Sequence, residues 1–130
     1  MNIEFLGATK EVTGSCMLIR VGGQRVLLEC GLLQGGRQHE SHNQDKFSFD
    51  PMKIDAVVVS HAHLDHSGRV PLLSKRGYKG PVYCHQATRD LCEIMWADSG
   101  FLNEKSIEWE NRKRQQKGMP PLEPLYSQSE

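Results

Sequence analysis

Between Ser60 and Gly68 the chain reads Ser-His-Ala-His-Leu-Asp-His-Ser-Gly, directly after the apolar run Ala56-Val57-Val58-Val59. An apolar run without alternation suits a short strand covered on both faces. The histidines leave from its carboxyl end, where α/β folds place their ligands. Residues two apart project to the same side of an extended chain, so His61 and His63 converge on one point, whereas on a helix they diverge. Asp65 and His66 then face a second point. Neutral imidazole nitrogen and carboxylate oxygen suit zinc and related divalent metals, and mixed His/Asp donors typify catalytic rather than sealed structural sites. The predicted chemistry is hydrolysis by a metal-activated water. The competing reading, a polar loop with histidines by accident, is disfavoured by the density of donors after a buried strand.

At 130 residues the chain falls in the single-domain range and can bury a moderate core. Its 16 Lys+Arg balance 16 Asp+Glu, so no global field draws it to nucleic acid or an anionic membrane, and any polyanion binding must be local. Met1-Asn2-Ile3-Glu4 lacks the basic start of a secretory signal, and no apolar run approaches a membrane span. A cytoplasmic location with no membrane partner is the expectation. Cys16, Cys30, Cys84 and Cys92 show no CxxC spacing and no disulfide-scaffold density, so reduced, mostly buried thiols are expected.

Ile3 to Leu6 reads as an opening strand, and Ala8 to Ser15 as a glycine-punctuated loop. Cys16 to Val21 and Arg25 to Cys30 read as a hairpin joined at Gly22-Gly23. Leu32 to Asp50 has no sustained period and reads as a long loop, a kind of segment that is often functional. After the strand at Asp55 to Ser60, Ser67 is placed as the cap of a helix running to about Lys75, with Pro71 in its first turn. Val82-Tyr83-Cys84 completes a strand-helix-strand unit with parallel pairing. Leu91, Ile94 and Met95 have helical spacing. Asp98-Ser99-Gly100 is expected to break that helix, with a second, more polar helix from Asn103 to Lys117. Gly118-Met119-Pro120-Pro121 stops any helix, giving a partial domain over 1–118 and a flexible tail over 119–130.

Several separate stretches together resemble the amino-terminal part of a metallo-β-lactamase-fold hydrolase, and specifically its β-CASP ribonuclease branch. His61-Ala62-His63-Leu64-Asp65-His66 matches the HxHxDH motif. Phe5-Leu6-Gly7-Ala8 with Glu11-Val12-Thr13-Gly14-Ser15, and Gly31-Leu32-Leu33-Gln34-Gly35 after a strand ending in an acid, are similar to the β-CASP branch. The resemblance covers roughly residues 1 to 100. It implies an α/β class, the αββα sandwich, with two zinc ions at the sheet edge. His61 and His63 would bind one zinc, Asp65 and His66 the other, and Asp65 would act catalytically by orienting the bound water. The acid closing the second hairpin strand is usually aspartate; here it is Glu29, expected as a supporting group behind the ligands. The family draws further His and Asp ligands and an inserted RNA-clamping domain from later segments.

The resemblance implies phosphodiester hydrolysis of single-stranded RNA. Two other readings stay open: a relative hydrolysing thioesters or lactones, and a short metal-binding or interaction module without turnover. Part of such a sandwich would leave a sheet face or edge uncovered, so self-association is expected. His85 reads as a turn or helix-start residue, and His39 and His42 as solvated loop residues with a lesser claim on metal or substrate. Arg112, Lys113, Arg114 and Lys117 read as a solvated helix face rather than a phosphate contact. Trp96 and Trp109 read as packing residues rather than base-stacking platforms.

Overall fold

The computed structural model describes residues 1–130. Strands β1 (Asn2–Gly7), β2 (Cys16–Val21), β3 (Gln24–Leu28), β4 (Ala56–Val58) and β5 (Val82–Tyr83) form one sheet in sequential order. The first three are antiparallel, and β3, β4 and β5 are parallel. Gly22 and Gly23 turn the β2–β3 hairpin at φ 56° and 78°, the left-handed values that a two-residue turn of this hand requires.

Pairing aligns Leu18 with Leu27 and Leu27 with Val57. These buried residues share one face with Cys16, Cys30, Val59, Val70, Leu73 and Tyr78, and Trp96 packs against the same cluster. Helices α2 (Leu64–Ser67) and α3 (Val70–Lys75) make the β4-to-β5 crossover, and α4 (Gln86–Gln116) follows β5. Pro71 lies in the first turn of α3, where its missing N–H costs no intrahelical bond.

The opposite sheet face is also apolar. Register places Ile3 against Ile19, Phe5 against Met17, Met17 against Leu28, Leu28 against Val58 and Val58 against Tyr83. None of these is buried, and Phe5 is 61% exposed. One α/β layer pair is therefore complete, with helices on one side and a bare apolar face on the other.

Two expectations need correction. First, the helix does not break at Asp98-Ser99-Gly100: α4 is continuous over 31 residues, about 46 Å of helix at 1.5 Å per residue. A Cβ on Gly100 would lie 2.9 Å from the backbone of Ser127, so this glycine admits the carboxyl-terminal segment rather than ending the helix. The helical spacing of Leu91, Ile94 and Met95 falls within α4, whose inward stripe is Thr88, Cys92, Trp96 and Gly100, four apart, while Leu91 and Ile94 are exposed. Small residues bring the helix close to the body and turn the larger aliphatic residues outward. Second, Ser67 ends α2 instead of capping the following helix, because its hydroxyl bonds back to the Ala62 and His63 carbonyls.

The segment 119–130, expected as a flexible tail, packs through Leu125 and Tyr126, both buried beside Leu72. Lys75 Nζ donates to the Pro124 carbonyl, Asn103 accepts from the Leu125 amide, and Tyr126 bonds Ser99. In the long loop, α1 (Arg37–Glu40) and a 3₁₀ turn (Ser41–Gln44) form, and the buried Asn43 side chain both donates to and accepts from the Leu33 backbone.

Candidate metal centre

Strand β4 stops at Val58, the chain bends at Ser60, and residues 61–63 form a loop before α2 begins. The HxHxDH segment therefore has a loop for its first half and a helical second half. His61 is the centre of the group. Its ring lies 5.0 Å from that of His63 and only 4.1 Å from that of His66, because the turn of α2 swings His66 back over it. Donor atoms of Glu29, His61 and His66 all lie within 4.8 Å of one another, a candidate His/Glu metal site. His63 is exposed at the mouth, and Asp65 Oδ2 is 3.5 Å from His66 Nε2.

Glu29 sits beneath the histidines and is 3% exposed. Oε1 accepts the Ser60 backbone N–H at 2.7 Å, and Oε2 lies 2.9 Å from His66 Nδ1. Both oxygens are thus engaged with the loop, so Glu29 supports the ligands from behind. Its backbone leaves the strand at φ 64°, a costly conformation for a residue with a Cβ, and this is why β3 ends before the expected Cys30.

A carboxylate can only accept, so a neutral His66 carries its proton on Nδ1 towards Glu29 and its lone pair on Nε2. That lone pair and Asp65 Oδ2 are both electron-rich and only 3.5 Å apart, an arrangement that a shared cation stabilises. The donor set therefore fits a divalent metal, with imidazole nitrogen and carboxylate oxygen as zinc prefers.

The backbone explains why the loop holds its shape. Ser15 N–H donates to Asp65 O, Cys30 N–H to His66 O, Leu32 N–H to Leu64 O, and Arg69 N–H to Cys30 O. Arg69 Nε adds a bond to Gly31 O. A Cβ on Gly31 would stand 1.7 Å from Asp65 O, so only glycine permits this approach. From the other side Trp96 Nε1 donates to Ser67 Oγ, linking α4 to the histidine loop. Burial pushes the neighbouring Cys92 thiol up, against the effect of its hydrogen bond with Ser67. The bond with Cys16, and then burial, raise the Cys30 thiol well above its ordinary value.

The other candidates lie apart from this centre. His39 pairs with Glu11 and His42 with Asp45, each at 2.8 Å. His85 caps α4, its Nδ1 accepting from the Ala87 amide. Arg112 bonds Glu108 and Arg114 the Pro120 carbonyl, while Lys113 lies 3.3 Å over the half-exposed Trp109 ring. Cys16, Cys30 and Cys92 are buried free thiols, and Cys84 is an exposed one. Sequence reasoning missed Ser60, Ser67 and Arg69 as loop-holding residues. The signal for Ser60 and Ser67 was their position flanking the motif, but their partners are long-range.

The family model described as "Metallo-beta-lactamase superfamily" matches residues 9–123. The chain is 52% identical over 99 residues to Ribonuclease TTHA0252 of Thermus thermophilus, covering 76% of this chain and 22% of that protein. It is 43% identical over 103 residues to Transcription termination factor FttA of Methanosarcina mazei (75% of this chain, 16% of that one). It is 36% identical over 104 residues to Integrator complex subunit 11 of Danio rerio (72% and 16%). The chain spans less than a quarter of the length of these relatives. With the match running through nearly the whole sheet, the histidine loop and α4, the chain belongs to the metallo-beta-lactamase superfamily.

Proposed function

We propose that this chain is the amino-terminal portion of a zinc-dependent phosphodiester hydrolase acting on single-stranded RNA, of the β-CASP type. The observation that carries this reading is the convergence of donor groups, with His66 Nε2 and Asp65 Oδ2 3.5 Å apart beside His61 and over the buried Glu29. The substrate class is supported by 52% identity to a protein named as a ribonuclease. In this reading His61, His63, Asp65 and His66 hold two zinc ions together with ligands from beyond this chain. When bound, the ions supply a water acidified to near neutrality and stabilise negative charge on the phosphate. Asp65, at the open side of His66, orients that water. Glu29 fixes His66, and the Trp96–Ser67 bond holds the loop against α4.

The bare apolar face of the sheet supports a further part of the reading, that the isolated chain self-associates through it. A monodisperse monomer in sedimentation at high concentration contradicts that part.

The test uses the complete polypeptide that carries this domain, loaded with zinc and given single-stranded RNA and a thioester in parallel. RNA cleavage that is lost in Asp65→Ala, with the thioester intact, is the expected result. Thioester cleavage with intact RNA assigns a carbonyl hydrolase instead. Zinc binding with neither activity assigns a non-catalytic module.

A further inference from the structure

We propose that Ser60 is a positioning residue whose hydroxyl holds the His61 ring at Nδ1 and accepts its proton there when a divalent metal takes the lone pair of Nε2. This rests on the metal reading of the site and extends it to a residue outside the ligand set.

The geometry makes Ser60 a link between the two inner imidazoles. Its backbone N–H is held by Glu29 Oε1 at 2.7 Å, and the other oxygen of the same carboxylate holds His66 Nδ1 at 2.9 Å. Its hydroxyl lies 2.8 Å from His61 Nδ1. Each inner histidine thus has its Nδ1 occupied from behind, His66 by a carboxylate and His61 by a hydroxyl. The two rings stand 4.1 Å apart at their centroids.

A neutral imidazole carries one proton, and the hydrogen bond at one nitrogen decides the state of the other. If the Ser60 hydroxyl donated, the His61 proton would sit on Nε2 and block metal binding there. A hydroxyl can also accept, having two lone pairs, and acceptance leaves Nε2 open. Because the Ser60 backbone is tethered to Glu29, the hydroxyl stays within reach of the ring through either state. Outer groups of this kind change metal affinity by about 10–100-fold when removed.

The experiment measures zinc affinity of the complete polypeptide that carries this domain by chelator competition and reads His61 nitrogen protonation from ¹H–¹⁵N imidazole spectra. Compared with the wild type are Ser60→Ala and the equal-shaped pair Ser60→Thr and Ser60→Val, which differ only in the hydroxyl. We expect Ser60→Thr to bind zinc within about twofold of wild type, and Ser60→Ala and Ser60→Val to bind about tenfold or more weakly and lose the Nδ1–H signature. The Thr/Val comparison decides the matter if the alanine variant does not fold. Equal zinc affinity and an unchanged Nδ1–H signal in the variants lacking the hydroxyl overturn the role of Ser60 while leaving the metal site standing. Absence of zinc binding by the wild type overturns the metal reading, and this inference with it.

Discussion

Glu29 Oε2 lies 2.9 Å from His66 Nδ1, placing a carboxylate from the end of one strand behind an imidazole from the end of the crossover loop. The longer glutamate side chain serves this purpose because its other oxygen also reaches the Ser60 amide. In Glu29→Gln the amide nitrogen replaces one acceptor and meets either the Ser60 N–H or the His66 Nδ1–H, donor against donor. Zinc affinity should fall about 10–100-fold, and Glu29→Asp, too short to span both partners, should fall by at least about tenfold. Isothermal titration checks both. Unchanged affinity in Glu29→Gln contradicts the supporting role.

Gly31 touches the site through backbone alone. A methyl group there would collide with Asp65 O, and neither backbone can move without releasing the bonds between residues 30–32 and 64–69. Gly31→Ala should destabilise the chain by about 3 kcal/mol or more in denaturant titration. A loss within experimental error would show that the loop and β3 are less tightly coupled than these contacts require.

Tyr126 is 1% exposed, packs with Leu125 and Leu72, and bonds Ser99 of α4. Tyr126→Ala should cost about 3–5 kcal/mol, as for other buried aromatic truncations. Amide exchange should slow across α4 around Ser99 in the wild type and not in the variant. Wild-type-like stability would mean that residues 119–130 do not dock in solution.

Burial raises the Cys92 thiol from its ordinary 9.0 and the Tyr78 and Tyr126 phenols from 10.0. Each is an acid held protonated in the fold, so the unfolded chain binds fewer protons once pH passes the ordinary value. Stability from these groups is fully present below about pH 9 and declines above it. The melting temperature should be flat on the neutral side of that point and fall beyond it. Under the same native conditions iodoacetamide should modify Cys84 and spare Cys16, Cys30 and Cys92. A rising melting temperature in alkali, or modification of all four thiols, contradicts this.

The strand pattern and the hairpin were legible because their causes are local: period, apolar runs, and glycines at a turn. The metallo-β-lactamase family and its α/β class were legible in the HxHxDH run after Val59. The arrangement within the donor group was less so. Spacing separates His61 and His63 from Asp65 and His66, whereas the onset of α2 brings His66 closer to His61 than His63 is. The continuity of α4 through Gly100 was hidden because that glycine answers to the segment at Ser127, far along the chain. Tyr126 and Leu125 look too sparse to order a tail, yet they meet an existing pocket formed by Leu72 and α4. In the last two cases the deciding contact is long-range, and the sequence shows only one half of it.

The central claim is that the histidine loop gathers a divalent metal over Glu29. Crystals soaked in zinc and measured on either side of the zinc absorption edge test it directly. Anomalous peaks about 2.0–2.1 Å from His61 Nε2 and from His66 Nε2, with Glu29 still on His66 Nδ1, are the predicted result. Zinc bound elsewhere, with the His61 and His66 rings turned apart and free of metal, would contradict it.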